Sequence, residues 1–109
     1  MANSENMKLL EKQAEIIKAV AHPIRIAIIN VLKKKPYCVC DIVEQTGSER
    51  SNISKHLSIM TSAGILDCRK DGLKVIYSLK TPCIMDFLAC TTKVLKSQLK
   101  ENKKLLEII

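Results

Sequence analysis

Long apolar runs are missing from this 109-residue sequence. The longest, such as Ile26 to Ile29, fall far short of the ~20 residues that span a bilayer. Met1 to Lys8 contains no apolar stretch of the kind a secretory leader carries. No membrane partner is therefore expected, and the cytoplasm is the expected location. Internal repeats, low-complexity tracts and flexible linkers are missing too, which argues against a second domain and leaves residues 1–109 as a single one. There is no Cys-x-x-Cys and no βαβ setting for one, so a thiol oxidoreductase is disfavoured, and an enzyme is not expected.

Acidic residues are the scarcer charge. Eleven Asp and Glu stand against eighteen Lys and Arg, a formal net charge of +7, the balance of a protein that meets polyanions, nucleic acid first among them. A non-specific DNA-packaging protein would share that charge but would need no thiols. The five cysteines are an odd count. In a reducing compartment they are thiols, available to metals or to redox chemistry.

Leu9, Leu10, Ile16, Ile17 and Val20 recur at helical spacing, with charged residues between them, and predict an amphipathic first helix ending near His22. Pro23 suits the first turn of a second helix, whose apolar positions Ile24, Ile28, Val31 and Leu32 run to the Lys33-Lys34-Lys35-Pro36 stop. Asp41 and Glu44 have the spacing of a capping box opening a short helix, closed at Gly47 by the left-handed residue that follows many helix ends. Ser48 would cap the next helix. That helix buries Ile53, Leu57 and Met60, exposes Arg50, Ser51, Asn52, Ser54 and Lys55, and stops at Gly64. Two short helices across a tight glycine turn are a helix-turn-helix pattern.

Ile65 to Arg69 and Lys74 to Leu79 flank Asp71-Gly72, which supplies the positive φ of a tight hairpin. Val75, Tyr77 and Leu79 alternate inward, and Arg69, Lys70 and Lys74 make the hairpin a basic arm, or wing. Thr81-Pro82 opens the last helix. Along it Met85, Leu88, Thr92, Leu95, Leu99, Asn102, Leu106 and Ile109 keep the three-four spacing of a coiled-coil seam that calls for a partner, with Asn102 as a register-setting position. The expected fold is mainly α with a β-hairpin, a winged helix-turn-helix. In it the helix after Gly47 enters the major groove of double-stranded DNA. Ser51, Asn52, Ser54 and Lys55 are the candidates for base edges, and Arg50, Arg69, Lys70 and Lys74 those for phosphate or minor groove. Two such subunits imply a palindromic operator with half-sites about one helical turn apart.

Ala21-His22-Pro23-Ile24-Arg25, Cys38-Val39-Cys40-Asp41, Ser54-Lys55-His56-Leu57 with Ala63-Gly64-Ile65-Leu66, and Asp71-Gly72 through Ile76-Tyr77-Ser78-Leu79 together resemble the ArsR/SmtB family of metalloregulatory repressors, in the family's order and over roughly residues 9 to 99. The resemblance implies a homodimer joined through the first and last helices, and a repressor that leaves its operator when an inducer binds. His22 and His56 fall at framework positions of the family, which implies packing or hydrogen-bonding roles. The Cys-x-Cys element resembles that of members sensing trivalent arsenic and antimony, or cadmium and lead, making Cys38 and Cys40 the candidate metal ligands. Soft thiolates favour such ions, and three sulfurs suit a trivalent ion with a lone pair. Arsenical repressors often carry a further cysteine three residues after the pair, where this sequence has Val43.

Residues two apart point about 200° apart on a regular helix but share a face when extended. A cap at Asp41 would leave Cys38 and Cys40 extended, whereas the resemblance implies a helical pair. Chelation would then distort the helix that supports the recognition helix. Cys83 and Cys90, seven apart and opposite the seam, are alternative third ligands or buried thiols, and Cys68 in the hairpin is a structural thiol or a bystander. Zinc, nickel and cobalt sensors of the family use His and carboxylate pairs on the last helix, which here has no His, so borderline metals are disfavoured. The alternative signal for the same fold is oxidation of the thiols to a disulfide or persulfide.

Overall fold

Apolar periodicity and a few caps account for most of the elements. The computed structural model describes residues 4–109; residues 1–3, within the N-terminal stretch considered above for a leader, lie outside the described residues. The order is α1 (Ser4–Lys18), α2 (Pro23–Leu32), β1 (Tyr37–Cys38), α3 (Val39–Thr46), α4 (Arg50–Ser62), β2 (Leu66–Asp71), β3 (Lys74–Leu79) and α5 (Ile84–Ile108). This is the expected mainly α fold with a hairpin. Pro23 opens α2, and His22 caps it from an extended backbone, its Nδ1 accepting from the Ile24 N–H at 3.1 Å. Gly47, at φ +70°, ends α3 in the left-handed region and donates its N–H to the Val43 carbonyl, so the chain can turn directly into α4. Gly72, at φ +65°, makes the hairpin turn.

The core lies between α2, α3, α4 and the start of the hairpin: Ile28, Ile29 and Leu32, then Ile42, then Ile53, Leu57 and Met60, closed by Val20, Ile65 and Leu66. Tyr77 and Leu79 of β3 pack on it, as do Ile84, Met85 and Leu88 at the start of α5. Two polar ties fasten the edges. The Thr81 hydroxyl donates to the Gly64 carbonyl at 2.8 Å, and the Thr46 hydroxyl to the Ile42 carbonyl at 2.7 Å.

Several expectations are corrected. The first helix ends at Lys18, before His22, and one further turn, closed by the Ala21 N–H on the Ile17 carbonyl, carries the chain on with Ala19 and Val20 buried. Helix α3 begins at Val39, two residues ahead of the capping box, because Tyr37 and Cys38 form a strand that pairs with Tyr77 and Ile76 of β3. That pairing holds Cys38 extended (φ −76°, ψ 163°) and the helix starts at the next residue. The sheet is therefore three-stranded, ordered β1-β3-β2, rather than a bare hairpin. Glu49, not Ser48, is the N-cap of α4, and no side chain caps it. On α5, Met85 and Leu88 spend the start of the seam on the subunit's own core, whereas Leu95, Leu99 and Leu106 continue it in the open. Cys83 and Cys90 are exposed.

The long helices leave much apolar surface uncovered. Neither α1 nor α5 contains a buried residue, although Leu9, Leu10, Ile16 and Ile17 on one, and Phe87, Val94, Leu95 and Leu99 on the other, are large apolar side chains. The chain exposes 8155 Å2, where a compact monomer of its mass exposes about 6,000 Å2. Its radius of gyration is 17.5 Å, against about 13 Å for a compact chain of this length.

Candidate nucleic-acid interface and thiol site

The face that α4 turns away from the core carries the polar residues expected there. Ile53, His56, Leu57 and Met60 are buried, and Arg50, Ser51, Asn52, Ser54 and Lys55 are exposed. Ser51, Asn52 and Lys55 share one cleft with Glu49. Sequence reasoning did not single out Glu49, whose carboxylate is an acceptor beside three groups able to donate. Arg69 and Lys70 are exposed on β2, and Lys74 opens β3 opposite Asp71. Neither of the two ion pairs found among the described residues, Lys12–Glu15 and Lys80–Asp67, involves these basic side chains.

His56 fixes the back of α4. It is buried, its ring lies 4.4 Å from that of His22, and its Nδ1 accepts from Arg25 Nε at 3.0 Å. Burial, reinforced by His22, Arg25 and Lys55, holds its pKa below the ordinary 6.5. The folded protein thus binds fewer protons here than the unfolded chain. The resulting stability is complete above the unfolded value of 6.5 and is lost as pH falls through the folded value. Lowering the pH from about 7.5 to about 5.5 is expected to lower the urea midpoint, and His56→Asn, which keeps an acceptor near Nδ1 without a titrating ring, to shrink that drop. An equal drop in both proteins would assign the effect to other groups.

The thiols divide. Cys38, buried at the end of β1, is the N-cap of α3, and its Sγ donates to Asp41 Oδ2 at 3.2 Å. Cys40, exposed in the first turn of α3, accepts from Arg50 Nη1 at 3.2 Å. The pair thus straddles a strand-to-helix junction, neither wholly extended nor wholly helical. Both cysteines line one cavity of about 90 Å3, whose other walls are Val39, Arg50 of α4, and Leu73, Lys74 and Val75 at the wing. Cys83 lines a different, almost wholly apolar cavity with Ile16, Ile17, Val20 and Phe87. Cys90 is exposed farther along α5, and Cys68 is exposed opposite Tyr77 across the hairpin. Among the described residues, no three His, Cys, Asp or Glu are grouped so as to hold a metal ion. The structure therefore brings Cys38 and Cys40 to one cavity and does not bring Cys83 or Cys90 to it. Arg50, ten residues beyond Cys40, and the wing were missed as parts of the thiol site, because nothing local in the sequence signals either contact.

A two-helix reader backed by a buried core and flanked by a basic hairpin defines a winged helix-turn-helix DNA-binding domain. Residues 22–67 match the bacterial regulatory proteins of the arsR family. The HTH-type transcriptional regulator Rv0081 of Mycobacterium tuberculosis is 36% identical over 104 residues, covering 94% of this chain and 91% of that one. The crystal structure of Rv0081 superposes with a TM-score of 0.74, over 86% of this chain and 95% of that chain. The chain belongs to the ArsR family of DNA-binding transcriptional regulators. The homodimeric winged helix-turn-helix domain Mb0332 of Mycobacterium bovis shares the fold at a TM-score of 0.77 and 23% identity, over 92% of this chain and 93% of that chain. The probable mercury resistance operon repressor of Streptomyces lividans is 28% identical over 75 residues, 69% of this chain and 60% of that protein. Among the described residues, no helix is long and apolar enough to cross a membrane.

Proposed function

We propose that the chain is a homodimeric repressor that holds a palindromic operator through two α4 helices and their wings, and releases it when a thiophilic ion binds Cys38 and Cys40. The observation that carries this reading is the shared cavity: both thiols open onto a space walled by Arg50 of the recognition helix and by Lys74 of the wing. A ligand that enters there meets both DNA-facing elements at once. Two sulfurs on one small cavity suit trivalent arsenic or antimony, or cadmium or lead, above hard cations. A trivalent ion's third position falls to a donor from outside this cavity. The likeness to a mercury resistance repressor supports a soft ion as inducer. Pairing through α1 and α5 is supported by their uncovered apolar side chains and by the surface the single chain leaves exposed.

In this reading Ser51, Asn52, Ser54 and Lys55 approach base edges while Arg50, Arg69, Lys70 and Lys74 hold the backbone. The test is a titration of the reduced protein, bound to duplexes it has itself selected from a random pool, with arsenite, antimonite, cadmium and lead. The wild type is expected to let go near one ion per site. A Cys38→Ser Cys40→Ser protein is expected to bind the DNA and ignore the ions. Release only after an oxidant or a persulfide would make the pair a redox switch and overturn the metal reading.

A further inference from the structure

We propose that Arg50 couples the thiol pair to the DNA: its guanidinium is held by Cys40 or by an operator phosphate, and not by both. This inference rests on the reading of Cys38 and Cys40 as the sensing site. Arg50 is the first residue of α4, exposed on the face that carries Ser51, Asn52 and Lys55, and it has no carboxylate partner among the described ion pairs. Its described polar partner is the Cys40 sulfur, 3.2 Å from Nη1, at the rim of the cavity that Cys38 and Lys74 also line. A cysteine sulfur is a weak acceptor, whereas a phosphate accepts a charge-assisted and often bidentate bond from a guanidinium. In the DNA-binding form the phosphate therefore wins, and the sulfur is where Arg50 rests when the DNA is gone. Any change at Cys40 that strengthens its hold on the guanidinium takes one backbone anchor per subunit away from the operator. Occupancy of the cavity thereby reaches the DNA without a rearrangement of the core. Lys74, the other cation on the rim, can follow the same route, but it makes no described bond to sulfur.

The test places a permanent anion where the sulfur is and uses no ligand. Operator affinity is measured by fluorescence anisotropy for the wild type, Arg50→Gln, Cys40→Asp and the double variant, all full-length and reduced. Both positions are exposed, and Asp in the first turn of a helix is favourable there, so the fold tolerates the changes. Arg50→Gln is expected to weaken binding about tenfold in the wild-type background, and less than about twofold beside Cys40→Asp, where the carboxylate already holds the guanidinium. The salt dependence reports the same thing: Arg50→Gln is expected to flatten the slope by about two in the first background and by almost nothing in the second. A purely structural role would not move that slope. Equal costs in both backgrounds overturn the proposal, as does a larger cost beside Cys40→Asp, which would mean that Arg50 only screens the anion. Because no ion enters this cycle, the sensor reading can fail while the coupling stands. A wild type that answers ions, with an additive cycle, would sink Arg50 alone.

Discussion

Raising the salt from about 50 to about 200 mM is expected to weaken operator binding by about 10^4-fold. Arg50, Arg69, Lys70 and Lys74 are exposed, and none belongs to a described ion pair, so each is available to a phosphate. A pair of subunits offers roughly eight such contacts, and at about −0.9 per phosphate the slope of log affinity against log salt comes to about −7. Anisotropy titrations at four or five salt concentrations measure it. Lys70→Ala is expected to flatten the slope by about two and to weaken all sequences alike. Ser54→Ala is expected to leave the slope unchanged and to blur the preference among operators. A wild-type slope shallower than about −3 would show that the wing and the start of α4 stay off the backbone.

Ile17→Glu combined with Phe87→Glu is expected to produce folded monomers that bind the operator ~10²- to 10⁴-fold more weakly than wild type. In the single subunit Ile17 is 53% exposed and Phe87 49%, and both line the apolar cavity of about 260 Å3 between α1 and the start of α5. The new carboxylates therefore cost the isolated fold little. In a dimer closed over that cavity they would be buried without partners, a penalty of several kcal/mol per ion. The affinity falls because a second half-site held by a tethered reader is engaged at a high effective concentration, which monomers lose. Sedimentation equilibrium reads the assembly, and circular dichroism checks that the helices persist. A variant that stays dimeric would move the interface elsewhere, with the open stretch of the seam at Leu95, Leu99 and Leu106 the next place to look.

Much of the fold is legible because its signals are local. The spacing of Ile53, Leu57 and Met60 places one face of α4 inside and leaves Ser51, Asn52, Ser54 and Lys55 outside, as the structure has them. Gly47 and Gly72 adopt the positive φ that their turns require. One misplaced boundary has a clear origin. Asp41 is a residue type that favours caps, but pairing of Tyr37 with Tyr77, forty residues on, outweighs a preference worth about 1 kcal/mol. Asp41 instead sits inside the first turn of α3 and accepts from the Cys38 thiol.

By itself the sequence determined the helix-turn-helix, the wing, the exposed polar and basic face of α4 and the Cys-x-Cys pair ahead of the glycine turn, because periodicity, turn chemistry and charge are properties of short segments. Only the tertiary structure decided how the thiols stand. Strand β1, held by β3, splits Cys38 from Cys40 at a junction, burying one and exposing the other. The packing of α3 against α4, and of the wing beside them, brings Arg50 and Lys74 to the same cavity. It also decided that α5 begins its seam on its own core and leaves the rest uncovered. Such contacts join residues far apart in the chain, and their free energy comes from surfaces that exist only once the helices have packed.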